Sequence, residues 1–193
     1  MRTGGVQRAP QGREDLSFGL DAHRGRAEVS EAFQGYSGQA FSLRSEKGRF
    51  TLPPAFRNAV KLSTEDRTLC LTAHERWPCL VGFGTERVKE FEAILDREEE
   101  SAFKFGRDFD RDTRAIQLNS FATMPFDDSG RFIMPEHIRN LGKIGDELFF
   151  QGGGRFFTVW NPARLYEMGQ ELAVAKAACE VLEKEARAKG KKK

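Results

Sequence analysis

One eleven-residue segment of this chain occurs twice. Gly48-Arg49-Phe50-Thr51-Leu52-Pro53-Pro54-Ala55-Phe56-Arg57-Asn58 returns eighty-two positions later as Gly130-Arg131-Phe132-Ile133-Met134-Pro135-Glu136-His137-Ile138-Arg139-Asn140, with six of eleven positions identical. The differing positions keep their character, so the shared pattern is G-R-apolar-x-apolar-P-x-x-apolar-R-N. An internal repeat constrains architecture before any other feature does. Two copies of one structural unit are expected within a single chain.

Each copy has a physical reading. Phe50 and Leu52 alternate with Arg49 and Thr51 at the period of a strand, and a proline then stops the strand and opens a helix at its first turn. On that short helix Phe56 and Ala59 or Val60 face the core while Arg57 points elsewhere; Ile138 with Leu141 repeats this beside Arg139, so both arginines are expected to be available. Ahead of each Gly-Arg lies a turn, Ser45-Glu46-Lys47-Gly48 or Asp127-Asp128-Ser129-Gly130. In these turns glycine supplies positive φ and Ser or Asp can bond its own backbone. Downstream, Leu69 to Thr72 and Cys79 to Phe83 read as a hairpin, matched by Leu148 to Phe150 and Phe156 to Trp160 around Gly152-Gly153-Gly154. A longer helix follows each hairpin, marked by Val88, Phe91 and Leu95 and by Leu165, Met168 and Leu172. Each half is thus strand, turn, strand, short helix, hairpin, longer helix, in an α+β protein.

Length and composition bear on how the halves combine. At 193 residues and 39% hydrophobic, two repeats of this size would each be marginal alone, so they are expected to share a core. The seventeen phenylalanines are assigned to it. Residues 1–32 mix Arg, Gly, Pro, Gln and acids with few large apolar groups and read as a flexible extension. The further division is a first repeat over 33–100, a connector over 101–116, a second repeat over 117–170, and a C-terminal helix end with a basic tail over 171–193. From Leu165 through Met168, Leu172, Ala175, Cys179 and Leu182 to Ala186, apolar residues alternate steps of three and four, a seam that fits packing within the chain or contact between subunits equally.

Several chemistries find no support. Cys70, Cys79 and Cys179 are odd in number without C-x-x-C spacing and read as small buried hydrophobes, with disulfide or metal ligation as the alternative. His23, His74 and His137 lack a metal-ligand constellation. Gly152-Gly153-Gly154 lacks the G-K-[ST] ending of a phosphate loop and reads as a hairpin turn. No nucleophile and base pair stands out, so neither an enzymatic activity, a cofactor nor a small-molecule substrate is expected. The sequence carries no apolar block of membrane-span or secretory type, and a cytoplasmic protein is expected. The net charge of +2 conceals an acidic stretch from Glu86 to Asp112 and a basic end from Lys184 to Lys193. Solvated surfaces explain such runs, and contact of the basic end with phosphates is the functional alternative.

What remains is the repeated arginine. Two Gly-Arg turns, each with a second arginine eight residues on, would present four guanidinium groups in related positions if the halves pack about a pseudo-twofold axis. Guanidinium suits bidentate contact with guanine edges and phosphates.

The segments Phe33-Gln34-Gly35, Leu43 to Arg57, Phe126 to Arg139 and Phe156 to Trp160 resemble the MraZ family of bacterial transcriptional regulators, over roughly residues 33 to 170. The shared motif is a doubled D-x-x-G-R type turn with its G-R-x-x-x-P-x-x-x-R extension. The resemblance implies tandem AbrB-like swapped-hairpin modules forming one pseudo-twofold β-barrel per chain, with short helices and a longer C-terminal helix. It also implies a ring-shaped homo-oligomer that binds double-stranded DNA at short direct repeats and represses a division and cell-wall gene cluster, in association with the nucleoid. By that resemblance Arg49 and Arg131 lead the DNA-contacting residues, Arg57 and Arg139 rank second, and Lys47 keeps a familiar basic residue before glycine. Asp127 and Gly130 shape the second turn, and Gly48 the first. Ser45 stands where the family has aspartate, so the first copy lacks an Asp-Arg pair. A different class of function, a protein-interaction scaffold of antitoxin-like type docking a partner on its acidic middle helix, would differ in salt response from DNA binding.

Overall fold

In the computed structural model, which describes residues 35–64 and 66–190, the repeat is visible as an exchange of strands. The first half contributes β1 (Gln39–Leu43), β2 (Phe50–Thr51), α1 (Pro54–Leu62), β3 (Thr68–Ala73) and β4 (Leu80–Gly84). A 3-10 turn over Thr85–Glu90 leads into α2 (Phe91–Lys104), and α3 (Arg111–Asn119) leads to the second half. There β5 (Ala122–Pro125), β6 (Arg131–Phe132), α4 (Glu136–Leu141), β7 (Glu147–Gly152) and β8 (Phe157–Trp160) repeat the order. The expectations for residues 1–32, for Phe33-Gln34 and for Lys191-Lys192-Lys193 fall outside the described residues.

Six strands form one antiparallel sheet in the order β1-β7-β8-β4-β3-β5, and β2 pairs with β6 in a separate ribbon. The first strand of each half therefore pairs with the hairpin of the other half: β1 with β7, Phe41 opposite Phe149, and β5 with β3, Met124 opposite Leu69. Exchanging the halves reverses the strand order onto itself, with β4 and β8 at the centre, Val81 opposite Thr158. The ladder remains open between its ends β1 and β5, so hydrogen bonding does not close the barrel that the resemblance implies. Ser42 joins the sheet to the ribbon, its Oγ accepting from the Thr51 N–H at 3.2 Å.

The shared core is present. One apolar cluster takes Phe50, Leu52, Phe56, Leu69 and Leu80 from the first half and Phe126, Phe132, Ile138, Phe150 and Phe157 from the second. The Phe56 ring centroid lies 5.1 Å from that of Phe157 and 5.6 Å from that of Phe150. Phe50 meets Phe132 at 6.1 Å at the middle of the ribbon. Prolines open both short helices as expected, Pro53 and Pro135 sitting in extended backbone at the N-caps. On α1, Phe56 and Val60 are buried; on α4, Ile138 is buried but Leu141 is 57% exposed. That corrects the paired reading of Ile138 and Leu141: α4 has only six residues, Glu136–Leu141, capped by Gly142, and Leu141, in its last position, is left on the solvent side.

The C-terminal helix is not continuous. It divides into α5 (Pro162–Tyr166), a 3-10 turn over Gln170–Leu172 and α6 (Ala173–Gly190). Gly169, a poor helix former, stands in extended backbone at the break. The seam packs within the chain: Leu165, Ala175 and Cys179 join Cys79, Phe149 and Trp160 in a second buried cluster, flanked by Met168, Leu172 and Leu182. Arg187 fastens α6 to β7, its Nε and Nη2 donating to Glu147 at 2.9 and 3.0 Å. All three cysteines are buried free thiols, as the sequence suggested. The glycine run is the β7 to β8 turn, and it also admits the segment from Gly35 to Gly38. Tyr36 and Gly154 exchange backbone hydrogen bonds there, and a Cβ on Gly152 would lie 2.5 Å from the Ser37 Cα. Among the described residues no helix is long and apolar enough to cross a membrane.

Candidate nucleic-acid interface

The two repeated turns fold alike. In the first, the Gly48 N–H donates to the Ser45 carbonyl and the Ser45 N–H to the Arg49 carbonyl, both at 2.8 Å. In the second, the Gly130 N–H donates to the Asp127 carbonyl at 2.8 Å and the Asp127 N–H to the Arg131 carbonyl at 3.1 Å. Gly48 and Gly130 take φ of 73° and 80°, the left-handed region that glycine enters without strain. Each turn delivers its arginine to the start of a ribbon strand.

Ribbon register determines where those arginines stand. Phe50 lies opposite Phe132 and Thr51 opposite Arg131. The phenylalanines are buried, so the alternation of side chains puts Arg49, Thr51, Arg131 and Ile133 on the other face. All four are exposed, Ile133 by 63%. Arg49 and Arg131 are diagonal neighbours across the two strands, a relation that separates side-chain bases by about 7–8 Å. Lys47 and Ser45 are exposed beside them.

Side-chain bonding separates the turns. Asp127 Oδ1 accepts the N–H groups of Ser129 and Arg131 at 3.0 and 2.9 Å, and its Oδ2 accepts from Arg131 Nε at 2.7 Å. The Arg131 backbone N–H, and after it the Arg131 guanidinium, hold the Asp127 carboxyl below the usual aspartate range against the opposing cost of desolvation. The guanidinium of Arg131 is thereby oriented, with no hydrogen-bond partner on its Nη groups among the described residues. Ser45 replaces only one of these three bonds: its Oγ accepts the Arg49 N–H at 3.2 Å. The Arg49 guanidinium has no hydrogen-bond or ion-pair partner among the described residues.

The second-rank arginines are placed differently from expectation. Arg57 and Arg139 are half-buried, each with a buried Nε that has no hydrogen-bond partner. Arg57 crosses from the first half to the second turn and donates from Nη1 to the Asp128 carbonyl at 3.1 Å. It is therefore partly committed to bracing that turn. Arg139 lies on α4 without a comparable contact among the described residues. Two residues beside the turns carried no signal in the repeat. Arg67 pairs with the Asp128 carboxylate, and Arg44 reaches Asp146 at 3.2 Å while lying under the first turn, 3.1 Å from where a Gly48 Cβ would be. The repeat pairs Arg44 with Phe126, which conceals it from a search for matched arginines.

Elsewhere the described residues hold no His, Cys, Asp and Glu grouping suited to a metal. His74 is a turn residue whose Nδ1 accepts the N–H groups of Arg76 and Trp77, both at 3.1 Å. Burial raises the Cys70 and Cys79 thiols to about 11 and about 12, which suits inert core residues.

No protein-family profile matches the chain. Curated relatives do. The transcriptional regulator MraZ of Gluconobacter oxydans is 29% identical over 126 residues, covering 64% of this chain and 74% of the relative. That of Rhodospirillum rubrum is 28% identical over 144 residues, 72% of this chain and 86% of the relative, and that of Paraburkholderia xenovorans 27% over 150 residues, 78% and 96%. These relatives are named as regulators of transcription, a non-enzymatic class. The matched lengths exceed either half alone, so the similarity to these MraZ regulators takes in the duplication itself.

Proposed function

We propose that this protein is a sequence-specific DNA-binding regulator of transcription whose reading head is the β2–β6 ribbon with its two turns. The observation that carries the reading is the solvent face of that ribbon, where Arg49 and Arg131 stand as diagonal neighbours backed by the buried Phe50 and Phe132 pair. A two-stranded ribbon is one of the elements that enter the major groove of B-DNA, about 12 Å wide, and arginine is the residue best suited to guanine edges there. Lys47 adds charge beside Arg49. Arg57, which also holds the second turn, and Arg139 at the matched place on α4 are the second-rank DNA contacts. Ser45, Gly48, Asp127 and Gly130 shape the turns.

The finer reading follows from the family. The two halves are AbrB-like swapped-hairpin repeats, 33–100 and 117–170, which the exchange of β1 and β5 between hairpins supports. Several subunits of a ring-shaped homo-oligomer engage successive direct repeats, and weak single contacts combine through effective concentration. Occupancy of the promoter of a division and cell-wall cluster then represses it, in the cytoplasm and at the nucleoid.

The test is a titration of the protein against a duplex with several short direct repeats from that promoter and against a scrambled duplex, at two salt concentrations. Tighter binding to the repeats is expected, with affinity falling steeply in salt at about 0.9 log units per log unit for each phosphate contact. Equal binding to both duplexes, insensitive to salt, would defeat the reading.

A further inference from the structure

The two turns have the same backbone and unequal side-chain support. Asp127 clamps the second by three hydrogen bonds, one of them to the Arg131 guanidinium. Arg57 and Arg67, both from the first half, hold its Asp128 by the carbonyl and the carboxylate. Gly130 is itself buried, its carbonyl accepting the Leu52 N–H at 2.8 Å. The first turn has the Ser45 hydroxyl on one N–H and an arginine without a partner among the described residues. A clamped guanidinium loses little freedom on meeting a partner and presents one orientation, which suits hydrogen bonding to a base edge. An unclamped one accommodates many geometries, which suits phosphate.

We propose that the two copies have divided the work of recognition. Arg131, positioned by Asp127, discriminates between base pairs, whereas Arg49, released by Ser45, supplies affinity that is indifferent to sequence. The proposal rests on the DNA-binding reading above and adds to it that the head is functionally asymmetric, with Asp127 a positioning residue and Ser45 the departure that unlocks the first copy.

The experiment begins with the box that the unmodified protein enriches from a random duplex pool. Binding of that box and of its single-base-pair variants is then measured at several salt concentrations for Arg131→Ala, Arg49→Ala, Asp127→Asn and Ser45→Asp, with melting curves for each. Arg131→Ala should erase discrimination at one base-pair position, a loss of about 5- to 150-fold in the affinity ratio. Arg49→Ala should weaken all duplexes by a common factor and reduce the salt slope by about one. Asp127→Asn keeps an oxygen for the backbone N–H groups but removes the ionic hold, and should lower the affinity ratio more than it lowers overall affinity. Ser45→Asp should raise discrimination in the first copy. Equal erosion of discrimination by Arg49→Ala and Arg131→Ala would overturn the asymmetry while leaving DNA reading intact. Failure of the unmodified protein to enrich any box would overturn the reading itself.

Discussion

Gly48 and Gly130 occupy matched positions with nearly the same φ, yet their surroundings make them unequal. A Cβ on Gly130 would lie 2.6 Å from the Leu52 carbonyl oxygen, a backbone atom that cannot yield, and 3.1 Å from Arg57 Cδ. On Gly48 the nearest atom would be Arg44 Nη2 at 3.1 Å, the far end of a flexible side chain. Positive φ alone costs an alanine about 1 kcal/mol. At Gly130 the clash adds to it, for a total of about 2–4 kcal/mol. Gly130→Ala is therefore expected to lower the melting temperature by about 5–15 °C and Gly48→Ala by about 2–4 °C. Equal shifts in thermal denaturation would show that the second turn is no more tightly packed than the first. Both glycines were legible in the sequence as turn formers, but the neighbours that rank them come from α1 and from the other half.

At the level of elements, the two buried clusters divide the thiols. Cys79 and Cys179 belong to the cluster that α5 and α6 close over, while Cys70 belongs to the main core. Leu165, fully buried, is the anchor of α5, and truncation to alanine is expected to cost about 2–5 kcal/mol. Because local opening follows local packing, Leu165→Ala should make Cys79 and Cys179 accessible to a thiol reagent before Cys70, with all three protected in the unmodified protein. Simultaneous labelling, read by mass spectrometry, would mean that both clusters open as one unit. The seam of this C-terminal segment was readable from its spacing of three and four. Its break was not, because a single glycine at position 169 is tolerated inside many helices, and only the folded chain shows Gly169 in extended backbone between α5 and α6.

Taken whole, neither half completes its own sheet. β1 depends on β7 and β5 on β3, and the cluster around Phe56 and Phe157 draws on both halves. Separate fragments divided in the loop between α2 and α3 are expected to remain largely unfolded as monomers and to regain structure when mixed. Circular dichroism and size-exclusion chromatography would show this, and a folded monomeric half would contradict the shared core. The sequence by itself determined what is local: the duplication, the turns before each Gly-Arg, the alternation of Phe50 and Leu52, and the prolines that open α1 and α4. Those features depend on contacts within about four residues, such as Asp127 with Ser129 and Arg131. The tertiary structure alone decided which hairpin receives each first strand, that Arg57 braces the opposite turn, that Leu141 faces solvent and that the barrel ladder stays open. Two similar halves offer each strand two similar partners. The choice between them lies in the fit of whole buried faces, a long-range property that no local pattern contains.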